Sequence, residues 1–409
     1  MPKTPLGIDV LTAAQRRISY VFDNFPRIYV SFSGGKDSTV MLHLVMDEAI
    51  KRNRKVGVLL VDLEGMYKLT IDHIQAMYDL YADNIEPYWV CLPIALRNAV
   101  STFEPKWCCW EPGREKDWIR QPPKMAITYD KKDIFPFYYY DPKHPMEFEE
   151  FVPKFGHWYA QGKMCACFVG IRADESLNRY RTIKSDKAML DGKHWTTWMN
   201  EGLYNVYPIY DWKVGDDWLY VTKYHKIYNP LYDRMYQAGL TPSQMRICQP
   251  YGDDQRRGLW LFHVIEPDTW ARVVARVNGA NTGAIYVREV GDIMGNIKIT
   301  KPEGHTWESF AKMLLDSMPP PTKNHFENKI AVFLHWWQER GYPDGIPDEA
   351  DPKLEAAKKV PSWKRICKAL LRNDYWCKGL SFSMTKSEAY ERYKKVMKRR
   401  REAWGMLNI

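Results

Sequence analysis

The sequence has little that points to a membrane or to an oxidising compartment. Its longest apolar run, around Val58 to Val61, is far too short to cross a bilayer. No apolar segment follows Met1, and eight cysteines among 409 residues are too few for a disulfide scaffold. We therefore expect a cytoplasmic protein without membrane contact, whose cysteines are free thiols or metal ligands.

Familiar nucleotide-binding patterns are also missing, since neither G-x-x-x-x-G-K-[ST] nor G-x-G-x-x-G occurs. What is present is a composition that can bury a large core, with 45% hydrophobic and 14% aromatic residues. The net charge of +9 is concentrated in residues 351–409, which hold sixteen Lys and Arg against six Asp and Glu. This basic region suits DNA or RNA as a partner, or else forms a solvated helix face, and both interpretations stay open.

Strand-like and helix-like segments alternate in the first half of the chain. The predicted strands are Arg27–Phe32, Val56–Asp62 and Glu86–Leu92, and helical spacing fills the intervals between them. Such alternation predicts βαβ units and an α/β fold with a doubly wound parallel sheet.

The domain organisation follows from where this alternation stops. We expect a nucleotide-binding domain over residues 1–260, with an aromatic-rich insertion at about 105–160. Residues 261–409 are predicted to be mostly helical and basic, with a last amphipathic helix over Thr385–Trp404.

The most informative segment, S-G-G-K-D-S, follows the first predicted strand and opens a helix. Paired glycines let the backbone approach a ligand closely, and free amides at a helix start bind phosphate or sulfate. Lys36 adds a positive charge, while Asp37 either holds the loop or helps to place Mg²⁺. The predicted nucleotide-binding residues here are Ser31, Phe32, Ser33, Gly34, Gly35, Ser38 and Thr39.

Three ordered motifs carry a family resemblance. S-G-G-K-D-S resembles the pyrophosphate-binding loop of the PP-loop (HUP-like, adenine nucleotide α-hydrolase-like) superfamily. Gly170–Ser176, G-I-R-A-D-E-S, is similar to a motif of phosphoadenylyl-sulfate (PAPS) reductases. Pro208–Trp212, Asp216–Trp218 and Tyr228–Tyr232 resemble the P-I-x-D-W, D-V-W and N-P-L-Y segments of the same proteins. The insertion and the basic C-terminal region most resemble PAPS-reductase-like coactivators of the immunoglobulin-binding regulator A type.

The resemblance implies an adenine nucleotide, ATP or PAPS, bound with Mg²⁺ at the glycine loop. Lys36, Asp37 and Arg172 are then the expected catalytic residues, because a guanidinium past a strand end can grip a phosphate or sulfate. Asp62 is expected beside the nucleoside, where a carboxylate accepts from ribose hydroxyls. Arg179 is expected to assist in binding the nucleotide.

The cysteines test two narrower expectations. Reductases of the resembled family use a Cys in an E-C-G-[LI]-H pattern, which is missing here. Asp374–Leu380, around Cys377, resembles this pattern only weakly. Adenylyl-sulfate reductases hold an iron–sulfur cluster on paired cysteines. The comparable thiols could hold Zn²⁺ or such a cluster, or could be separate buried thiols; they are Cys108, Cys109, Cys165 and Cys167.

Three functions remain open at this point. The first is adenylation of a substrate with release of pyrophosphate, and the second is reduction of a sulfonucleotide. The third is a non-enzymatic, nucleotide-dependent regulator that contacts DNA and a partner protein.

Overall fold

The structure, a computed structural model, describes residues 7–101, 103–130, 135–184, 189–200, 202–252, 258–277, 279 and 299–382. The predicted last helix over residues 385–404 lies outside these residues. Among the helices described, none is long and apolar enough to span a membrane.

A seven-stranded, mostly parallel sheet forms the centre of the first part of the chain. Its spatial order is β6-β3-β2-β1-β7-β9-β8, and only β8 runs antiparallel to its neighbour. A second sheet pairs β4 with β5. The strands are β1 (Arg27–Ser31), β2 (Val56–Val61), β3 (Ile85–Cys91), β4 (Ile94–Arg97), β5 (Lys106–Cys109), β6 (Ile127–Thr128), β7 (Cys165–Val169), β8 (Thr196–Asn200) and β9 (Leu203–Val206).

Helices connect and follow these strands, which confirms the predicted doubly wound α/β class. They are α1 (Val10–Asn24), α2 (Lys36–Lys51), α3 (Lys68–Leu80), α4 (Phe148–Ala160), α5 (Leu177–Lys184), α6 (Val214–Lys223), α7 (Leu231–Gln237), α8 (Leu259–Ile265), α9 (Pro267–Arg276), α10 (Trp307–Asp316), α11 (Pro320–Gln338), α12 (Pro352–Ala356) and α13 (Trp363–Leu371).

The order of the central strands positions the site. β1 lies between β2 on one side and β7 on the other, so the chain reverses its direction of winding at β1. At such a point the loops after neighbouring strands diverge and leave a crevice beyond their carboxyl ends. Here those loops are the glycine segment after β1 and the G-I-R segment after β7.

The aromatic insertion contributes a helix to the sheet face. The Tyr159 hydroxyl on α4 accepts from the Gly57 amide at 3.0 Å and lies 3.0 Å from the Ile28 carbonyl, to which it donates. Tyr29 packs edge-on against both Tyr159 and Phe155. These contacts explain the many aromatic residues, since burying large rings stabilises the packing of α4 on the sheet.

The chain divides into two compact units. The first comprises Met1–Ala95, Cys108–Pro250 and Trp260–Arg276, and it contains the seven-stranded sheet. The second comprises Leu96–Trp107, Tyr251–Leu259 and Val277–Ile409, and its core lies among α10, α11 and α13. The single boundary expected near residue 260 stays a prediction.

Candidate anion-binding site at the glycine loop

The loop between β1 and α2 has a geometry that only glycine suits at one position. Gly34 has a φ of +71°, and a Cβ there would lie 2.9 Å from side-chain atoms of Ile74 and Thr70. Gly35 is the N-cap of α2 and provides no side-chain cap for the first turn. The loop therefore packs tightly against α3 while leaving the start of α2 open.

Four amides around the start of α2, other than that of Lys36, are available to a ligand. Within the described residues, no protein acceptor is recorded for the N–H groups of Gly34, Gly35, Asp37 and Ser38. The Ser33 amide donates to Ser38 Oγ at 3.4 Å, and the two hydroxyls lie 3.0 Å apart. Open amides at the positive end of a helix dipole form a site for an oxyanion.

A buried ion cluster lies beside these amides and joins the three sequence motifs. Asp37 contacts the Arg172 guanidinium and lies 3.4 Å from the Lys36 ammonium. Arg172 also contacts Asp174 at 2.6 Å and Asp217 at 3.2 Å. The cluster brings together residues 36–37 of the loop, 172–174 after β7 and 217 of α6.

The close approach of β7 to α2 depends on a second glycine. A Cβ at Gly170 would lie 2.8 Å from the Asp37 carbonyl oxygen. A larger residue would push the segment after β7 away from the loop. Gly170 thus allows Arg172 to reach Asp37.

The two carboxyl groups that flank Arg172 titrate differently. Burial opposes the ionisation of Asp37, but Lys36, a hydrogen bond from Asp217 and Arg172 together hold its pKa below the ordinary value. Burial, followed by the negative charge of Asp37, raises the pKa of Asp217 well above its ordinary value. Asp217 therefore keeps its proton beside an ionised Asp37.

Arg172 lies beside the glycine loop, after β7. Its side chain is only 2% exposed and is engaged by three aspartates. Through these contacts Arg172 holds Asp37 and the start of α2 in position. Its expected role in gripping a phosphate or sulfate stays a prediction.

Asp62 differs from the prediction because the insertion covers it. Its carboxylate is fully buried, accepts from Trp89 Nε1 at 2.7 Å and from the Glu64 amide at 3.0 Å, and contacts Arg120. The end of β2 thus anchors residues 110–120. The expected contact of Asp62 with a nucleoside stays a prediction.

Glu64 completes this anchor. It is fully buried, pairs with Arg276 at 2.9 Å and accepts from the amides of Trp110 and Ile119 at 2.7 and 3.1 Å. A buried carboxylate with this many donors fixes the segments that it joins. The insertion and α9 are therefore both attached to the end of β2.

The remaining predicted residues of the loop region fall into supporting positions. Phe32 is buried and stacks near Tyr78, and Thr39 Oγ1 lies 2.9 Å from His73 Nε2. Ser31 is the last residue of β1. Arg179 lies on α5 with 46% of its side chain exposed, 3.5 Å from Glu175. None of these four side chains is part of the ion cluster.

The four cysteines predicted as metal ligands are not brought together. Cys108 and Cys109 lie on β5, whereas Cys165 and Cys167 lie on β7, in a different sheet. Over the described parts of the chain, no three His, Cys, Asp or Glu side chains form a group that could hold a metal ion. The metal-site prediction is therefore corrected: these thiols pack separately, and Cys109 Sγ lies 3.5 Å from the Ile94 carbonyl.

The N-P-L-Y segment supplies contacts that motif spacing did not assign. Asn229 Nδ2 donates to the Gly34 carbonyl at 3.0 Å and to Thr70 Oγ1 at 2.9 Å. The Tyr232 hydroxyl accepts from the Lys36 amide at 2.8 Å. Both residues, like Asp217, stand in segments that the sequence had singled out without giving them a role. The sequence signal that could have identified these residues was their position within those motifs.

Comparison with known proteins gives matches to two families and to individual proteins. A family model described as "Phosphoadenosine phosphosulfate reductase domain" matches residues 27–107 and 144–243. One described as "Domain of unknown function (DUF3440)" matches residues 239–349 and 342–391. The chain is 46% identical over 409 residues to "Uncharacterized protein YbdN" of Escherichia coli (strain K12), covering 99% of this chain and 98% of the relative. A crystal structure of PAPS reductase from Candida auris in a phosphate complex matches with a TM-score of 0.27 and 14% identity, covering 54% of this chain and 84% of that one.

Proposed function

We propose that this chain, which belongs to the family of proteins with a phosphoadenosine phosphosulfate reductase domain, binds an adenine nucleotide at residues 33–39 and transfers its adenylyl group to an acceptor, releasing pyrophosphate. The observation that carries the proposal is the set of open amides at the start of α2, beside the buried cluster of Lys36, Asp37 and Arg172. An oxyanion is the ligand that such a helix start favours.

The chemistry proposed relies on positioning and charge. The pyrophosphate part of ATP would lie on the amides of Gly34, Gly35 and Ser38, with Lys36 offsetting the charge that develops as it leaves. Mg²⁺ would arrive with the nucleotide, because Asp37 is the one carboxylate at the loop and the described residues offer no group of three candidate ligands.

Sulfonucleotide reduction is the weaker alternative. It needs a reactive thiolate, and burial raises the pKa of both Cys367 and Cys377 to about 12. Both thiols lie in the core of the second unit, where they behave as small apolar side chains. PAPS remains a candidate ligand, with its phosphosulfate group in place of pyrophosphate.

Product analysis separates these functions. The full chain incubated with ATP, Mg²⁺ and candidate acceptors should release pyrophosphate, and PAPS with a dithiol should yield no sulfite. Nucleotide binding by calorimetry without turnover of either compound would instead favour the regulator proposed from the coactivator resemblance. That function also predicts salt-dependent retention of DNA, which deletion of residues 385–409 would abolish.

The proposed function first requires nucleotide binding, which isothermal titration calorimetry measures. The wild-type chain should bind ATP or PAPS, and the Lys36→Ala variant should bind about ten times more weakly, since a charge-assisted contact is removed. Lys364→Ala, which changes a lysine of the second unit, is the matched control. Failure of the wild-type chain to bind either nucleotide would refute the proposal.

A further inference from the structure

Tyr232 occupies an unusual position at the glycine loop. Its hydroxyl oxygen accepts from the Lys36 amide, which is the first N–H of α2. The Tyr232 side chain is almost completely buried, at 2% exposure. A side-chain oxygen therefore stands at the helix start, where an anion would be expected.

The Tyr232 hydroxyl still has a proton to donate. A phenol hydroxyl can accept one hydrogen bond and donate another. Within the described residues, no acceptor is recorded for this proton, although Asp37 and Asp217 are close enough to act electrostatically. Burial raises the pKa of Tyr232, so the group keeps its proton over the physiological range. A buried donor without an acceptor calls for a partner.

The space in front of this donor is shaped by the missing side chain of Gly35. A Cβ at Gly35 would lie 3.5 Å from both Tyr232 Oη and Ser33 Oγ, and 3.9 Å from Ser38 Oγ. Three hydroxyls thus surround one small position beside the open amides. Tyr232 and Met245 also line a cavity of about 480 Å³ along α7, which residues 33–38 do not line.

The position of Tyr232 is fixed by the segment that precedes it. The Asn229 side chain holds the Gly34 carbonyl and also accepts from the Leu231 amide at 2.9 Å. The start of α7 is thereby attached to the glycine loop itself. A donor held in this way is preorganised and needs no rearrangement to meet an anion.

We propose that Tyr232 is an anion-binding residue of this site, whose hydroxyl accepts from Lys36 and donates to an oxygen of a phosphate or sulfate group seated beside Gly35. The inference rests on the proposed function, because it names the residue that contacts the phosphate or sulfate part of the nucleotide. It extends the binding group from backbone amides to a side chain more than 190 residues away in the sequence.

Tyr232→Phe tests the inference, with Tyr236→Phe as the matched control. Tyr236 lies one turn later on α7, lines the same cavity and is 68% exposed. Calorimetry on the full chain should give about ten-fold weaker binding of ATP or PAPS for Tyr232→Phe, and binding within about two-fold of wild type for Tyr236→Phe. Adenosine, which has no phosphate, should bind all three proteins equally.

Thermal unfolding distinguishes a binding role from a structural one. A tyrosine that only capped Lys36 would lower the melting temperature of the ligand-free protein but leave the increase caused by sodium sulfate unchanged, and that result would overturn the inference. We expect the sulfate-induced increase to shrink in Tyr232→Phe. Gly35→Ala is a second variant, in which a methyl group fills the proposed anion position while the Tyr232 hydroxyl is kept. Undiminished binding of sulfate by Gly35→Ala would equally contradict the inference.

The outcomes also separate the inference from the function on which it rests. If the wild-type chain binds neither ATP nor PAPS, the proposed function itself fails. If the wild-type chain binds nucleotide and Tyr232→Phe binds it equally well or more tightly, only the role of Tyr232 is wrong. Tighter binding would mean that the hydroxyl blocks the site instead of completing it.

Discussion

Arg172 Nε lies 3.2 Å from a carboxylate oxygen of Asp217, and both side chains are almost completely buried. The two residues come from separate motifs, one after β7 and the other on α6. Asp37, in the first turn of α2, contacts the same guanidinium. The start of α2 is thus held by a charge network that joins it to the segment after β7 and to α6.

Removing the central cation should destabilise the fold. Arg172→Ala would remove one of the two cations that offset the buried charge of Asp37, so we expect a loss of about 3 kcal/mol in the free energy of unfolding. Arg179→Ala is the control, because its half-exposed pair with Glu175 is worth at most about 0.5 kcal/mol. Urea denaturation measures both, and equal stability of the two variants would argue against the network.

Asp217 should make the stability depend on pH. Since its pKa is raised on folding, the folded chain keeps a proton that the unfolded chain loses above about pH 4. Its stabilising contribution is complete below that pH and is lost as the pH rises through the raised pKa. Asp217→Asn, whose amide can donate to Asp37 permanently, should lose less stability between pH 5 and 8 than the wild type.

The measurement for Asp217 is a series of urea titrations across that pH range. Asp216→Asn is a suitable control, because this neighbour on α6 is only partly buried. An identical pH dependence in Asp217→Asn and the wild type would contradict the raised pKa of Asp217.

The two loop glycines should differ in their tolerance of a methyl group. Gly34→Ala meets both a positive φ and side chains at 2.9 Å, so we expect a loss of about 1–3 kcal/mol in stability. Gly35→Ala has an ordinary negative φ and contacts no closer than 3.5 Å, and should lose less than about 1 kcal/mol. Thermal unfolding compares the pair, and a more damaging change at Gly35 would disprove this account of the loop.

Glu64 should be required for folding. Glu64→Ala would leave Arg276 and two amides without their shared acceptor, at an expected cost of about 3–5 kcal/mol. Asp72→Ala breaks only the exposed pair with Lys68 and should change stability by less than about 1 kcal/mol. Chemical denaturation of both variants checks the difference.

The cysteines should differ in their reactivity. Burial raises the pKa of Cys167 and Cys377 to about 12, so neither should react with iodoacetamide at pH 8 in the native chain. Cys248 is partly exposed and should be modified first. Mass spectrometry of peptides locates the label, and rapid native labelling of Cys377 would restore the case for a reductase.

The local pattern of the sequence predicted most of the first half of the fold. The apolar segment Val56–Val61 is buried over nearly its whole length, as a central parallel strand requires, and β1 and α2 flank the glycine segment as expected. α5 begins at Leu177, after the G-I-R-A-D-E-S segment. The contacts of Arg172 and Asp174 with the ion cluster hold this segment out of the helix.

Other features could be decided only by residues distant in the chain. Nothing in the spacing indicated that Asp62 and Glu64 would bind Arg120 and Arg276, because those partners stand more than 50 and 200 residues away. The same holds for the Tyr232 hydroxyl at the Lys36 amide.

The sequence by itself determined that a flexible glycine turn would join a buried strand to a helix, because strand, turn and helix are each specified by neighbouring residues. Only the tertiary structure decided which charged side chains contact the glycine turn. Burial from water makes it costly to leave a charge without its partner, and burial arises when segments far apart in sequence pack together. Arg172 and Asp62 therefore keep the positions expected of them but bind other side chains.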